Sequence, residues 1–260
     1  MDDAPLLALE KATVLRGRLA ILEEFDFKLQ PGEKCTIIGP NGSGKSTLLR
    51  TLAGHLPLRS GVLLHGNRSI RDQDGRHAFQ TKQIGWCPQS AGTTPAATPL
   101  EHLRTTLRMH GTKMTDEDLI EVLKHWGLDH RQHDRIAWLS GGLQRRLEVA
   151  SAFIIAETST SPIPVLLDEP SEGLDEPGVE ILLDMIQNIV KSGHSVVVAT
   201  HDPRLIAAAE ETERLDTNGM EILRSERNNL EFNSRIRKAS SMHPGGMFGW
   251  NLRLDMRELS

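Results

Sequence analysis

The sequence predicts an α/β fold with a mostly parallel central sheet, N-terminal antiparallel strands and an inserted helical subdomain. Three observations lead there. Short apolar runs bounded by turn residues recur along the chain, as buried strands do. Towards the C-terminal half they alternate with segments of helical periodicity, the mark of βα units on a parallel sheet. Between residues 100 and 156 only helical spacing remains, which reads as a lobe interrupting the sheet.

Taken in order, a strand-rich start covers residues 6–15 and 25–29, and the turn "QPGE" leads into an apolar strand at 35–38. A glycine loop and a helix at 45–53 follow. Further buried-strand candidates lie at 62–64, 84–87, 165–167 and 195–200. Helices are expected at 100–109, at 116–126, after Gly142, at 180–190 and at 203–209. The stretch "AETSTSP" at 156–162 reads as a surface loop closing the helical lobe. The principal domain spans 1–225, with the helical subdomain at about 88–160, and 226–260 forms a C-terminal extension of weak periodicity.

Composition narrows the function classes. With 38% hydrophobic and 25% charged residues among 260, the chain is an ordinary globular protein with ample material for a core. The net charge of −5 comes with no basic stripe, so nucleic acid is not an expected partner. Cys35 and Cys87 are too few and too far apart for a disulfide framework or a thiolate metal site. The opening "MDDAPLLALE" is acidic and lacks the basic region of a signal peptide. No apolar run approaches the length of a membrane span. A cytoplasmic location is expected.

The chemistry sits in four motifs. "GPNGSGKST" places Gly39, Pro40, Asn41, Gly42, Ser43, Gly44, Lys45, Ser46 and Thr47 between a predicted strand and a predicted helix. Glycines there let backbone N–H groups curl around phosphates; Lys45 reaches the β and γ oxygens and the Ser46 hydroxyl serves Mg²⁺. This is the phosphate loop of a P-loop NTPase. "PVLLDEP" is an apolar strand ending in two carboxylates. Asp168 suits a second Mg²⁺ contact, and Glu169 suits a general base for an attacking water. "SVVVATHD" repeats that design with His201 at the end of another apolar strand, on the sheet edge where ligands bind in open α/β folds. "WLSGGLQRRLEV" sets Ser140, Gly141 and Gly142 at the start of a helix, a second anion site. The other histidines read as surface or core residues, and "HRQHD" at 130–134 as a solvated loop.

Together these segments resemble the nucleotide-binding subunit of ABC transporters over roughly residues 6 to 224, with the motifs in family order. The Q-loop is "GWCPQ", ending at Gln89, the signature is "LSGGLQRR", the D-loop is "SEGLD" and the switch histidine lies in "ATH". The Q-loop neighbourhood and "TPLEHLRTTLRMHG" look most like exporter-type subunits, including haem-exporter and ABC-2 groups. The resemblance implies ATP and Mg²⁺ as ligands, with Ser46, Gln89 and Asp168 around the metal. It assigns catalysis to Glu169 and His201, aided by Lys45 and Gln89. It further implies a head-to-tail dimer in which Ser140 and Gly142 cap the nucleotide of the other chain, and a membrane permease as partner, with the subunit peripheral on the cytoplasmic face. The alternative within the family is a soluble ATPase remodelling a cytosolic assembly. A GTPase is disfavoured because no N-K-x-D motif occurs. Two positions depart from the family pattern: Leu143 replaces the usual glutamine after the signature glycines, and Arg16 stands where an adenine-stacking aromatic is usual.

Overall fold

In the computed structural model the described residues are 4–66, 68–71, 83–90, 93–209, 213–217 and 220–224. The extension at 226–260 lies outside them.

The six-stranded sheet positions the chemistry. Its strands are β3 (Lys34–Ile38), β6 (Gly85–Cys87), β7 (Pro164–Asp168), β8 (Ser195–Ala199), β9 (Glu213–Thr217) and β10 (Met220–Arg224), in the order β6-β7-β8-β3-β10-β9. The first four run parallel, and β10 pairs antiparallel with β3 and β9. β7 and β8 are buried at every position, as strands with a covered sheet face on both sides must be. The second sheet is antiparallel, in the order β2-β1-β4-β5. It comprises β1 (Leu7–Arg16), β2 (Leu19–Leu29), β4 (Ser60–His65) and β5 (Arg68–Arg71).

The strand expected as buried at 62–64 falls within β4 of this second sheet and is only partly buried. β4 pairs antiparallel with β1 and only Leu63 of it is buried. A local apolar run carries no information on which strand it will meet. β2 is also longer than its apolar stretch, because it zips along β1 to the hairpin pair Arg16–Leu19.

Helix α1 (Lys45–Leu52) follows β3. Between β6 and β7 lie α2 (Pro99–Met109), α3 (Asp116–His125), a 3₁₀ turn (Ile136–Trp138) and α4 (Gly141–Glu157). α2 starts with a capping box, Thr98 and Glu101 each satisfying the other's backbone N–H. α5 (Glu176–Lys191) and α6 (Pro203–Ala207) complete the α/β part. α4 extends into the segment expected as a surface loop: Ala156 and Glu157 are helical and Ala156 is fully buried. The cause is the run Phe153–Ala156, which carries the apolar face to the helix end, while Ser159 beyond it bonds Gln83 and the Ser161 carbonyl.

α4 has almost no polar side, with ten of its residues buried. It lies against β6 so closely that a Cβ on Gly85 would stand 2.2 Å from the Ala152 carbonyl oxygen, so only glycine fits there. One apolar cluster joins Leu103, Leu123, Trp126 and Phe153 of the helical segment to Val165 and Val196 of the sheet. Trp126 and Phe153 stack with centroids 6.1 Å apart at its centre. Phe153→Ala should therefore cost about 3–5 kcal/mol. A urea titration checks this, and a loss below about 1 kcal/mol would mean that the cluster refills the cavity.

Candidate nucleotide-binding and catalytic site

Register decides what meets what. Ile37 is opposite Ala199, and Ala199 is opposite Asp168. Cys87 sits one row back, opposite Leu167. Because these strands are parallel and in step, their C-terminal ends open at one sheet edge. The phosphate loop leaves β3, Gln89 follows β6, Glu169 follows β7 and His201 follows β8 at that edge.

The loop 39–47 turns through glycines with positive φ: 156° at Gly39, 86° at Gly42 and 106° at Gly44. Gly44 caps α1 from a left-handed conformation without any side-chain hydrogen bond. The first-turn N–H groups of α1 are thus left for a ligand, and no acidic residue in that turn opposes an anion. Lys45 is buried and folds back, its Nζ donating to the carbonyls of Gly39 at 2.8 Å and Pro40 at 3.3 Å. These carbonyls hold the ammonium over the loop concavity. Pro40, Asn41 and Gly42 are exposed, and Ser43, Ser46 and Thr47 are half-buried.

Ser46 Oγ donates to Asp168 Oδ1 at 3.0 Å. The other carboxylate oxygen, Asp168 Oδ2, is buried and has no hydrogen-bond partner among the described residues. Burial raises the Asp168 pKa, and the neighbouring Glu169 adds to the rise, against the Ser46 bond and the cations Arg50 and Lys45. An unpartnered carboxylate oxygen beside a serine hydroxyl fits a hard cation with oxygen ligands, as Mg²⁺ is.

Glu169 has φ 47°, left-handed for a residue with a side chain, a conformation costing of order 1–3 kcal/mol. Its surroundings over-determine it. Its N–H donates to the Ala199 carbonyl at 2.8 Å, and its own carbonyl accepts from the Glu172 N–H at 3.1 Å. Arg145 donates to that carbonyl at 2.9 Å and to the Asp168 carbonyl at 3.1 Å. The carboxylate is gripped by His201, whose Nδ1 lies 2.9 Å from Oε1 and whose backbone N–H donates to Oε2 at 3.2 Å. The Glu169 side chain is 7% exposed and that of His201 69%, so the histidine covers the carboxylate from the solvent side. The Glu169 bond, then its charge, raise the His201 pKa.

Gln89 is exposed, and its amide donates to Glu172 Oε2 at 3.2 Å, on the turn after Glu169. It is thus joined to the D-loop rather than to Ser46 and Asp168. Ser140 caps α4, accepting from the Leu143 N–H at 3.3 Å, and both Ser140 and Gly141 are exposed. Gly142 is half-buried beside the Gly173 carbonyl. Leu143 packs half-buried against the core, so the departure there is an apolar contact.

Arg145 is the residue that sequence reasoning passed over. It is 5% exposed, and besides the two carbonyls at the β7 end it donates to the Pro88 carbonyl at 3.0 Å and pairs with Glu148 at 3.1 Å. The only signal for it was a pair of arginines inside an otherwise apolar helix. The second of them, Arg146, ties Asp175 of the D-loop (2.6 Å) to the Trp126 carbonyl (3.1 Å). His194 is buried and accepts from the Ile163 N–H at 3.2 Å, and burial lowers its pKa to about 4. In the loop at 130–134, Arg131 pairs with Asp134.

The chain matches the model of the ABC transporter family over residues 22–172. It is 32% identical to the lipoprotein-releasing system ATP-binding protein LolD of Francisella tularensis, over 82% of this chain and 93% of that protein. It is 33% identical to the zinc import ATP-binding protein ZnuC of a Ruegeria species, over 79% of this chain and 75% of that one. Among solved structures, an ATP-binding subunit of an ABC transporter superposes with TM-score 0.69 at 23% identity, over 82% of this chain and 87% of that one. The dimeric cassette MJ0796 in a post-hydrolysis state with ADP and Pi superposes with TM-score 0.65 at 26% identity, over 78% of this chain and 90% of that one. With its glycine loop and the carboxylates of Asp168 and Glu169 gathered on one sheet edge, the chain belongs to the ABC transporter family, as one of its ATP-binding, ATP-hydrolysing subunits.

Proposed function

We propose that this subunit hydrolyses Mg-ATP at a site shared between its own phosphate loop and the signature helix of a second nucleotide-binding subunit. Closing and reopening of the pair drives a permease in the membrane, with this chain peripheral on the cytoplasmic face. The observation that carries the reading is the meeting of Ser46, Asp168 and the Glu169–His201 pair beside an uncapped helix start. Exposure of Ser140 and Gly141 supports a phosphate supplied by another chain, as does the dimeric state of the MJ0796 cassette. No helix among the described residues is long and apolar enough to cross a membrane, and the named relatives are ATP-binding components of release and import systems.

Each residue has a role that follows from its place. Loop N–H groups and Lys45 take the phosphate charge. Ser46 and Asp168 would hold Mg²⁺, with Gln89 the proposed third ligand, and the ion would supply neutralisation of phosphate charge. Water attacks the γ-phosphorus, the bond to the β-phosphate oxygen breaks, and the water proton passes to the Glu169 carboxylate. His201 holds that carboxylate in place and senses the γ-phosphate. The segment 85–111 is the proposed docking surface for the permease. Within it Glu101 serves the α2 cap and Arg104 pairs with Asp116 at 2.8 Å, so charge reversal at either would injure α2 as well as any contact.

Three outcomes follow. Glu169→Gln should keep ATP binding and lose roughly 10²–10⁴-fold in turnover, measured by phosphate release. Turnover close to wild type would assign the base elsewhere.

The His201 titration, followed by the imidazole C–H shifts in NMR, should move down towards the ordinary histidine value in Glu169→Gln. The raised folded value means that the ion pair stabilises fully below the unfolded value and is lost as pH rises through the folded one. An unmoved titration would show that His201 does not depend on Glu169.

Cysteines placed by Ser140→Cys and Asn41→Cys in the Glu169→Gln chain should crosslink between chains on oxidation with ATP and little without it, since the bond needs Cα atoms within about 7 Å. Native Cys35 and Cys87 can stay: both are fully buried, and burial pushes the Cys87 thiol up to about 12. A bond within one chain, or one indifferent to ATP, would remove the shared site.

A further inference from the structure

We propose that Trp138 acts across the dimer as a base-stacking residue, its indole covering the base of the nucleotide held by the other chain's phosphate loop. The inference rests on the shared site proposed above. It begins with an anomaly of exposure. Among the Phe and Trp side chains described, Phe25, Phe27, Trp126 and Phe153 are buried and Trp86 half-buried, whereas Trp138 is 65% exposed. An indole open to water forgoes the burial that a tryptophan in a folded chain usually finds.

Its mounting makes the exposure specific. Trp138 ends the 3₁₀ turn two residues before Ser140. Its neighbours Ile136 and Leu139 are buried, and the Gln144 amide, one turn into α4, donates to the carbonyls of both at 3.0 Å. The turn and the signature helix are thus one rigid piece, and a molecule that meets Ser140 also meets the indole. The Arg135 guanidinium lies 5.5 Å from the ring centroid and steadies it. Two residues span at most about 7 Å, and the indole adds its own length. That is the scale separating the terminal phosphate from the base of a nucleoside triphosphate.

The β1–β2 hairpin offers no exposed ring on the other side. The β1–β2 hairpin stands beside the phosphate loop, since a Cβ on Gly44 would lie 3.1 Å from the Ile21 side chain. Its exposed tip carries Leu15, Arg16 and Leu19, and the first aromatic of the sequence is Phe25, which is buried. With no ring on that hairpin, a bound base leaves a face for the partner's Trp138. Stacking is indifferent to base identity because every base has a π-face, so the ligand class is a nucleoside triphosphate with weak discrimination of its base.

The test uses the full chain with Glu169→Gln and reads nucleotide-dependent dimerisation by light scattering. Trp138→Ala should raise the ATP concentration at half-dimerisation by roughly 5- to 150-fold, Trp138→Phe by no more than about threefold, and Trp138→Leu should resemble alanine. The same shift is expected with GTP, while ATP binding to the dilute monomer stays unchanged. Mixing Trp138→Ala with Lys45→Ala should restore much of the affinity at one site, because the intact indole then serves the intact phosphate loop. If the Glu169→Gln parent dimerises with ATP and Trp138→Ala does so at the same midpoint, the stacking role is wrong and the shared site stands. A parent that never dimerises with ATP removes both. Weakened binding by the Trp138→Ala monomer would put the indole over its own chain's nucleotide, and leucine matching phenylalanine would reduce it to apolar bulk; either result overturns the proposal.

Discussion

The parallel ladder β7–β8–β3 is the constraint on which the site depends. With Asp168, Ala199 and Ile37 in one row, the residue that follows each strand has little choice of neighbour. Parallel pairing makes three chain segments, distant in sequence, end at one edge, and it requires crossovers that keep helices off that edge. The ladder even continues past the strands: the Glu169 N–H bonds the Ala199 carbonyl at 2.8 Å and the Thr200 N–H bonds the Ile37 carbonyl at 3.0 Å. A register slip of one residue would turn Asp168 away from Ser46. Site geometry and sheet stability are therefore the same property here.

How much of this was legible in the sequence follows from the range of the forces involved. The phosphate loop was readable because its glycines, lysine and serine act through local backbone geometry. Asp168, Glu169 and His201 were readable because an apolar strand must end where polar residues begin. β5 and β9 were not found, for they carry little apolar material, and β10 was passed over although Met220, Ile222 and Leu223 are buried. The Asn-Gly pair at 218–219 between β9 and β10 was the hairpin signal that could have exposed the last two. β4 was expected to be buried but is only partly so, because burial of a short apolar run is decided by partners outside it. Arg145 was missed for a related reason. An arginine looks like a surface residue until its acceptors are known, and those lie 57, 23 and 24 residues away along the chain.

Arg145 also shows how a buried cation can be useful without being a source of stability. Removing a guanidinium from water is expensive, and a buried ion pair such as Arg145–Glu148 is weak evidence of net stabilisation. Its value is geometric. Five donors on a planar fork can bind carbonyls from separate segments, and here they join the residue before Gln89 to both peptides at the end of β7. The strained Glu169 backbone is one of the things so held. A lysine, with one charged atom, could not span the same set.

This arrangement gives α4 a mechanical reading. Its start, at Ser140 and Gly141, is exposed and presents N–H groups to an anion. One turn further in, Arg145 grips the carbonyls of Pro88, Asp168 and Glu169, and Arg146 grips Asp175 of the D-loop. An α-helix of 17 residues packed on nearly every side cannot bend to absorb a displacement of its start, so it moves as a body or not at all. A phosphate bound at the start of α4 therefore acts on the residue before Gln89, on the peptide of Glu169 and on the D-loop together. In the dimer proposed above, capping by the second subunit and the placing of Glu169 as base are linked through one helix, and Arg145 is the point where that link is made.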